Sequence, residues 1–284
     1  MVLQASPGSI SGCQISDQEF EALSRLVYER AGIQLPEFKK ALLVGRLQKI
    51  LRTNGFNSFN DYYNYVIGDE TGAALSELID RISTNHTFFL REPAHFDFFR
   101  DHALPEARER HANDRDLRVW CAASSTGEEP YTLQILMREF FGQEYSRWSA
   151  GLLATDISSR VLDLAREGIY DEEQVAPLPK QWLQKWFQQL DSEHFQVKSE
   201  LRSDLTLRRF NLMNKKLPFH KPFDAIFCRN VMIYFDAATK EDLVGRLAEA
   251  LVPDGYLFIG HAESIGRNQP LLRYVQPSTY QRIR

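Results

Sequence analysis

Residues 118–137 combine a short apolar strand, a turn of small residues and an apolar helix. A strand that runs into a helix in this way brings free backbone N–H groups and the positive end of the helix dipole to one point. Such a point suits a ligand with anionic or hydrogen-bond-accepting groups. Here the turn also carries Glu128 and Glu129, which would repel a pyrophosphate but accept a cationic ligand with hydroxyl or ammonium groups. The pattern therefore favours a sulfonium cofactor over a dinucleotide.

The composition is that of an ordinary globular protein, and its 284 residues are enough for two domains. The net charge of −4 argues against general nucleic-acid binding, which usually shows a basic excess. No window approaches about 18 continuous apolar residues, so no membrane insertion is expected. The N-terminus, residues 1–15, lacks the pattern of a secretory signal and is predicted to be mobile.

The cysteines and histidines favour neither a disulfide framework nor a metal site. Cys13, Cys121 and Cys228 are odd in number and widely separated, so they are predicted to be free thiols in a reducing cytoplasm. Two of them, Cys121 and Cys228, are expected to be buried beside strand ends. The seven histidines show no metal-ligand spacing such as H-E-x-x-H, and we predict no metal.

Residues 16–82 are predicted to form a small all-helical domain. Ser16 to Glu19 match a capping box before an apolar stretch, and Gly32 is placed to end that helix. Further helices are predicted at 38–53, 59–66 and 73–82. Residues 83–115 are expected to be a linker and the first helix of a second domain.

The second predicted helix carries an uncompensated positive face. Arg46, Lys49 and Arg52 are spaced three apart, opposite the apolar side of the helix. Lys39 and Lys40 add positive charge at its start, and no acid lies between residues 38 and 53. The face is either simply solvated or a docking surface for an acidic partner helix, and the sequence leaves both interpretations open.

From residue 116 onwards strands alternate with helices, which is typical of an α/β domain with a mostly parallel sheet. Strands are predicted at 117–122, 151–155, 206–210, 223–228, 255–259 and 274–282, and helices at 131–140, 158–167 and 240–250. The rhythm breaks between about 171 and 209, which is predicted to be a small β insertion. Within it, a helix is expected at 181–190, and residues 194–201 and 205–210 alternate like the two strands of a hairpin.

Polar residues follow several predicted strands, where open α/β sheets bind ligands. Asp156 is placed to accept hydrogen bonds from two ribose hydroxyls, one on each carboxylate oxygen, or to cap the helix that follows. Asn211 is suited to reading an adenine edge. Tyr234 lies in an apolar segment after Arg229 and Asn230, where a tyrosine taken alone more often belongs to the core than to a catalytic site.

Segment 83–92 places polar residues around an aromatic cluster just before Pro93, where a helix can begin. One interpretation is an interdomain linker in which Arg91 and Glu92 form an exposed salt bridge. A linker rarely needs the apolar run at 88–90, so the segment is expected to lie over something apolar, such as an adenine ring or the floor of a cleft.

Six segments together resemble the chemotaxis receptor methyltransferase family (CheR), whose members use S-adenosylmethionine. They are T-N-H-T-F-F-L-R-E at 84–92, A-A-S-S-T-G-E-E-P-Y at 122–131, A-T-D-I-S at 154–158, F-N-L at 210–212, F-D-A-I-F-C-R-N-V-M-I-Y-F at 223–235 and P-D-G-Y-L-F-I-G-H-A-E-S at 253–264. They occur in the family order and span nearly the whole chain after residue 80. The resemblance implies a Rossmann-like α/β methyltransferase domain at 116–284 with a small β-subdomain insertion, preceded by an all-α N-terminal domain.

The resemblance also implies roles for individual residues. The cofactor and reaction site would include Asn85, Thr87, Arg91, Glu128, Glu129, Asp156, Asn211, Leu212, Arg229 and Asn230. Among them, Asp156 would bind the ribose, Asn211 and Leu212 the adenine region, and Arg229 with Asn230 the methionine end. Arg91 and Tyr234 would bracket the transferred methyl group. The family methylates glutamate side chains on cytoplasmic helices of chemoreceptors, giving glutamyl methyl esters, and its basic N-terminal helix is thought to meet the receptor.

One departure from the family concerns receptor binding. Some members carry a glycine-bearing loop in the β insertion that grips a peptide at the receptor C-terminus, whereas the corresponding turn here, 190–194, is short and has no glycine. Methylation that is independent of such a pentapeptide is therefore expected.

Other functions remain as alternatives. A non-catalytic S-adenosylmethionine-binding signalling adaptor would keep the same pocket without turnover. A methyltransferase for another substrate is disfavoured for amino groups, because their usual Asn/Asp-Pro-Pro-aromatic motif is replaced here by Arg-Asn-Val-Met at 229–232. An NAD oxidoreductase lacks support, since G-x-G-x-x-G is absent.

Overall fold

The structure is a computed structural model that describes residues 14–266 and 269–283. The predicted mobile segment, up to and including Cys13, lies outside the described residues. The chain divides into two compact units, residues 1–82 and 83–284. Among the described residues, no helix is both long enough and apolar enough to cross a membrane.

The first unit consists of helices, as predicted. They are α1 (Asp17–Ala31), α2 (Lys40–Asn54), α3 (Phe59–Gly68) and α4 (Ala73–Ile82), with a 3₁₀ turn at Glu37–Lys39 before α2. Ser16 and Glu19 form the predicted capping box, and Gly32 ends α1 in the left-handed conformation at φ 70°. Helices this short are marginal in isolation, so packing through buried side chains such as Leu23 and Leu47 stabilises them.

The second unit alternates strands and helices. In chain order its elements are α5 (Pro93–Phe98), α6 (Leu104–Arg110), β1 (Asp116–Cys121), α7 (Glu128–Phe141), β2 (Ser149–Asp156), α8 (Ser159–Glu167), β3 (Ile169–Asp171), α9 (Glu172–Val175), α10 (Lys180–Trp186), β4 (Phe187–Gln189), β5 (His194–Val197), α11 (Ser199–Asp204), β6 (Leu205–Arg209), β7 (Phe223–Cys228), α12 (Ala237–Glu249), β8 (Leu251–Ile259), β9 (Leu272–Gln276) and β10 (Thr279–Arg282). Outside the β insertion and the last predicted strand, the predicted strands and helices of this unit are present within a few residues of their expected bounds.

The main sheet has seven strands in the order β6-β2-β1-β7-β8-β10-β9. The pairs from β6 to β8 are parallel, and β10 runs antiparallel to both of its neighbours. Every residue of β7 is buried, which is typical of a parallel strand covered on both faces. The carboxyl ends of β6, β2, β1, β7 and β8 therefore meet at one edge, where ligands bind in such sheets. Cys121 and Cys228 are buried free thiols at two of these ends, as predicted.

Two sequence expectations about strands are wrong. Residues 205–210 do not form a hairpin with 194–201: β5 pairs with β3 and β4 in a separate three-stranded sheet, whereas β6 pairs with β2 in the main sheet. An alternating pattern fixes which side chains share a face but not which strand is the partner. The predicted helix at 181–190 likewise ends at Trp186 and continues as β4.

The predicted late strand at 274–282 is two strands. β9 and β10 form an antiparallel pair, and the chain reverses at residues 277–278 between them. Pro277 cannot donate to a strand ladder, and Ser278 adopts the left-handed conformation at φ 59°. This hairpin places β9 at the edge of the main sheet.

Candidate functional site

The predicted strand–turn–helix forms as β1, a turn at 122–127 and α7. The turn is tied to β2, because the backbone N–H of Ser125 donates to Asp156 Oδ2 at 2.9 Å. Gly127 precedes α7 at φ 105°, and a Cβ there would lie 2.7 Å from the Tyr170 hydroxyl, so only glycine fits without displacement. The turn thus brings the ends of β1 and β2 together at the start of α7.

Asp156 ends β2 and is buried, with 8% of its surface exposed. Its Oδ1 accepts a hydrogen bond from the backbone N–H of Ser158 (2.9 Å), and its Oδ2 accepts one from Ser125. The cap of α8 is Ser158 itself, whose hydroxyl accepts from Val161 N–H at 3.3 Å, so the capping alternative for Asp156 is wrong. A carboxylate oxygen can accept more than one hydrogen bond, so a carboxylate at this position suits a pair of ligand hydroxyls.

Glu129, in the first turn of α7, is held from two sides. Its Oε1 accepts a hydrogen bond from the Cys121 thiol at 3.1 Å, and its Oε2 forms an ion pair with Arg229. Burial, reinforced by the charge of Glu129, raises the pKa of Cys121 well above its ordinary value, so the thiol keeps its proton and donates it. The carboxylate is thereby fixed at the carboxyl ends of β1 and β7.

Arg229 follows β7, and its side chain is 1% exposed. Besides Glu129, it donates to the carbonyl of Arg91 and to Glu92 Oε2 (3.0 Å), and its guanidinium lies 5.2 Å from the centre of the Phe96 ring. The side chain that the resemblance assigns to the methionine end of the cofactor is therefore committed to protein partners. Its effect is to join the segment around Arg91 to the start of α7.

Arg91 lies half-buried in a segment with an unusual backbone. Its guanidinium donates to the carbonyl of His86 (2.9 Å) and lies 5.7 Å from the centre of the exposed Phe88 ring. The residues on both sides of it, Leu90 (φ 59°) and Glu92 (φ 57°), adopt the left-handed conformation that non-glycine residues rarely occupy. Such backbone strain persists only where the surrounding structure holds it, and it is commonly found at functional sites.

The rest of this segment packs on the small sheet. Phe89 is fully buried, with its ring edge-on to Tyr170 (4.9 Å) and Phe187 (5.8 Å). The apolar run expected over an adenine ring or a cleft floor therefore covers the β insertion. Asn85 and Thr87 are half-buried, and the carbonyl of Asn85 accepts a hydrogen bond from the Ser125 hydroxyl (2.9 Å), which links this segment to the turn after β1.

Asn230 is another non-glycine residue of the site in the left-handed conformation, at φ 57°, besides Leu90, Glu92 and Ser125. Its side-chain amide donates to Glu92 Oε1 (3.1 Å), and its backbone N–H donates to Glu263 Oε2 (2.9 Å). A Cβ on Gly260 would lie 2.3 Å from this amide, so the side chain passes directly over the glycine. Tyr234 is half-buried in the 3₁₀ turn Met232–Tyr234 that follows.

Asn211 and Leu212 lie just beyond β6, next to Asp156. Phe210, the residue before Asn211, donates its backbone N–H to the Asp156 carbonyl at 2.9 Å. Asn211 Oδ1 accepts a hydrogen bond from the Met213 N–H (2.9 Å), which fixes its side chain in a local turn, and Leu212 is buried. Both residues therefore lie at the same edge of the sheet as the predicted ribose site.

The side chains of Glu128 and Glu129 point towards different parts of the protein. It is 1% exposed, accepts a hydrogen bond from the Thr126 hydroxyl (2.7 Å) and lies 3.5 Å from the Gln174 amide in the β insertion. Burial raises its pKa above the ordinary value. The expectation that both acids face a cationic ligand is therefore corrected: Glu129 lies with the site residues, and Glu128 faces the insertion.

The sequence reasoning missed a cluster beside Arg229, formed by Glu92, His95 and His261. Glu92 is 13% exposed and pairs with Arg229, so the exposed Arg91–Glu92 bridge is wrong. Burial, with the Arg229 charge next, lowers the pKa of His95 to about 4. The three residues bring possible metal-ligand atoms within 4.8 Å of one another, but the Arg229 guanidinium on Glu92 opposes a further cation. A Glu and a His spaced by three at a helix start are the only local signal for it.

The basic helix of the first unit is partly committed within that unit. Lys40 forms an ion pair with Asp17, and Arg46 donates to the Ile82 carbonyl. Lys39 is half-exposed, and Lys49 and Arg52 are exposed. The exposed part of the predicted docking face is therefore the C-terminal half of α2.

Comparisons with known proteins find one family over most of the chain. The family model described as CheR methyltransferase, SAM binding domain, matches residues 85–281, and the CheR methyltransferase all-alpha domain matches residues 18–83. A chemotaxis protein methyltransferase of Borreliella burgdorferi is 43% identical over 94% of this chain and 95% of its own length. A chemotaxis protein methyltransferase of Salmonella typhimurium is 39% identical over 88% of this chain and 85% of its own length. Chemotaxis protein methyltransferase 2 of Pseudomonas aeruginosa is 33% identical over 97% of this chain and 98% of its own length.

Proposed function

The chain belongs to the CheR family of S-adenosylmethionine-dependent chemotaxis methyltransferases, and from that premise we propose that it methylates glutamate side chains on the cytoplasmic helices of chemoreceptors. The product is a glutamyl methyl ester. The observation that carries this proposal is the network from Glu129 through Arg229 to the Arg91 carbonyl, which joins the acid at the start of α7 to the arginine best suited to bind a substrate carboxylate.

The residues at this edge fit the cofactor. In this proposal Asp156 binds the ribose hydroxyls, Asn211 and Leu212 beside it the adenine region, and Glu129 the ammonium group, and the contacts that hold Asp156 at the strand ends support its part. Asn85, Thr87 and Asn230 would complete the binding site from the flanking segments. S-adenosylmethionine, when bound, supplies an electrophilic methyl group.

The protein's own part in the reaction is positioning. A glutamate with a pKa near 4.3 is already ionised at neutral pH, so no general base is required. Arg91 binds one carboxylate oxygen and leaves the other free to attack, and Tyr234 orients the substrate. Alignment of this kind contributes up to about 7–11 kcal/mol in the best intramolecular reactions. Since the attack neutralises charge, excluding water from the site also favours it.

The receptor would meet the first unit through exposed residues of α2 and of the 3₁₀ turn before it. Lys49 and Arg52 supply positive charge, and Phe38 (83% exposed) and Leu42 (41% exposed) supply apolar surface. Positions 42, 49 and 52 follow helical spacing on α2 and form one stripe, with Phe38 in the 3₁₀ turn just before it, which suits an amphipathic acidic helix. Replacing both Lys49 and Arg52 with Glu should raise the KM for receptor without changing the affinity for cofactor.

The direct test is transfer of a tritiated methyl group from S-adenosylmethionine to purified receptor cytoplasmic fragments. The label should be released by mild base, as an ester is, and should disappear when the receptor's candidate glutamates are changed to Ala. Cofactor binding without any transfer would instead indicate the signalling adaptor, and base-stable label would indicate another acceptor group.

Receptor tethering through the β insertion is not part of this proposal. The turn between β4 and β5 is compact, because Asp191 Oδ1 accepts the backbone N–H groups of both Glu193 and His194 at 2.8 Å. A receptor-tail pentapeptide titrated calorimetrically should give no heat. Binding with a micromolar Kd would refute the expectation that methylation is independent of the pentapeptide.

A further inference from the structure

We propose that Glu92 is a positioning residue for methyl transfer: together with Arg229 it holds the strained backbone around Arg91, so that Arg91 meets the substrate carboxylate in the productive place. The inference rests on the proposed function of Arg91. It concerns a residue that makes no assigned contact with cofactor or substrate and acts only through its neighbours.

Glu92 is the point where four segments meet. Its Oε2 accepts hydrogen bonds from Arg229 (3.0 Å) and from the backbone N–H of His261 (3.2 Å), and its Oε1 accepts from the Asn230 amide (3.1 Å). His95 Nδ1 lies 3.5 Å from the same Oε2. These partners come from α5, from the end of β7 and from the end of β8, so one carboxylate joins the Arg91 segment to the sheet.

The charge on this carboxylate is stable at neutral pH. Burial taken alone would raise the pKa of Glu92, but the Asn230 amide and the Arg229 charge outweigh it, and the pKa lies below its ordinary value. Arg229 is thus an inward-facing cation between two carboxylates, Glu92 and Glu129. If either carboxylate loses its charge, we expect the Arg229 guanidinium to move towards the carboxylate that remains charged.

The backbone around Arg91 needs this support. Leu90 and Glu92 both adopt the left-handed conformation, and the Arg91 carbonyl between them is fixed by Arg229. The Arg91 side chain is held separately, by the His86 carbonyl and the Phe88 ring. Loss of the Glu92 charge should therefore shift the segment as a unit and misplace the arginine without removing it. A displacement of about 1 Å can cost about 100-fold in rate.

The test compares E92Q with the wild type in full-length protein, using single-turnover methyl transfer to a receptor fragment and calorimetric binding of S-adenosylhomocysteine. E92Q keeps the size of the side chain but replaces one carboxylate oxygen with an NH₂ donor, so it loses the charge facing Arg229 and the acceptor for either Asn230 or His261. We expect the transfer rate to fall between about 10-fold and 100-fold, while the Kd for S-adenosylhomocysteine changes less than about 3-fold. E106Q is the matched control, since Glu106 accepts a hydrogen bond from the Tyr256 hydroxyl outside the site, and its rate should equal that of the wild type.

The second readout is coupling to Arg91. If Glu92 acts through Arg91, the double variant E92Q/R91A should be no more than about 3-fold slower than R91A alone. Additive losses would overturn the proposal, as would a rate for E92Q equal to the wild type or an equal loss of rate and cofactor affinity. If E92Q fails to fold, E92N, whose residue tolerates the left-handed conformation, replaces it, and failure of both makes Glu92 structural. A wild type that binds cofactor but transfers nothing would overturn the proposed function instead.

Discussion

Strand β7 carries a buried charged residue at each end, and the two are surrounded in different ways. Asp224, near its amino end, accepts hydrogen bonds from Arg110 (2.7 Å), His111 Nε2 (2.9 Å) and the backbone N–H of Arg118 (3.0 Å). Both carboxylate oxygens are bonded, and the partners lie on or beside regular helix and strand. This cluster joins the end of α6 to the start of the sheet.

Arg229, just beyond the carboxyl end of β7, is equally buried but lies among irregular backbone. Three non-glycine residues in the left-handed conformation, Leu90, Glu92 and Asn230, surround it. Within the described residues its Nε has no hydrogen-bond partner. At the opposite end of the strand Arg115 (φ 52°) and Asp254 (φ 62°) are left-handed too, so the two ends differ mainly in bonding: both Asp224 carboxylate oxygens are bonded, whereas the Arg229 Nε is left without a partner beside the edge where the cofactor is proposed to bind. The comparison indicates that the amino-end cluster maintains the fold and the carboxyl-end cluster maintains the site.

The largest expected effect lies at the amino end. Asp224→Ala should reduce the free energy of unfolding by about 3–5 kcal/mol, because it leaves Arg110 as a half-buried charge without its partner. Urea unfolding measures the loss. Well below the unfolding transition, the Kd for S-adenosylhomocysteine should be that of the wild type. Weakened cofactor binding in an undiminished fold would contradict the separation of the two ends.

At the carboxyl end, His95 should make stability depend on pH. Its pKa is lowered from 6.5 to about 4 by burial and by the Arg229 charge, so the unfolded chain binds a proton at higher pH than the folded chain does. Stability is therefore fully present above about pH 6.5 and is lost as the pH falls towards 4, by about 3 kcal/mol in total.

The measurement is urea unfolding of the wild type and of His95→Phe at several pH values between 7 and 4. The variant has no titrating ring at this position, so its loss over this range should be smaller by about 3 kcal/mol. Curves with the same slope in both proteins would show that His95 is not the group responsible.

Arg91→Ala should lower the single-turnover rate by about 100-fold, as expected for loss of one preorganised donor at a reacting centre. The Kd for S-adenosylhomocysteine should change less than about 3-fold, since Asp156 and Glu129 keep their partners. Arg91→Lys should recover part of the rate because it restores the charge but not the paired donors. A normal methylation rate in Arg91→Ala would remove the Arg91 side chain from catalysis.

The fold was largely predictable, because its signals are local. The capping box at Ser16, the glycine at 32 and the apolar strand that becomes β7 each depend on residues close in sequence. The partner of β6 was not predictable, since its alternating Leu205 and Leu207 fit an edge of the main sheet as well as a hairpin. Strand pairing depends on residues about 50 positions away in this case, which a single sequence does not reveal.

The site was predictable only in part, for the same reason. Asp156 and Glu129 were predicted as site residues from their positions at a strand end and a helix start, where the structure also places them. Glu92 was interpreted as the partner of the adjacent Arg91, whereas its guanidinium partner is Arg229, 137 residues further along the chain. Adjacent opposite charges suggest a local pair, but burial of Arg229 makes the distant pairing the stronger one.

The smallest expected effect at the carboxyl end concerns Tyr234. It lies half-buried on the 3₁₀ turn after Asn230, and in the proposed reaction its hydroxyl orients the substrate. Tyr234→Phe keeps the ring and removes one hydrogen bond, which contributes about 1 kcal/mol, or ~5-fold in kcat. Steady-state kinetics with receptor fragment measure this, and Tyr274→Phe, on the exposed edge strand β9, is the control that should leave kcat unchanged. A loss near 100-fold would mean that the hydroxyl acts in the transition state itself, and that the carboxyl-end network positions two catalytic groups, not one.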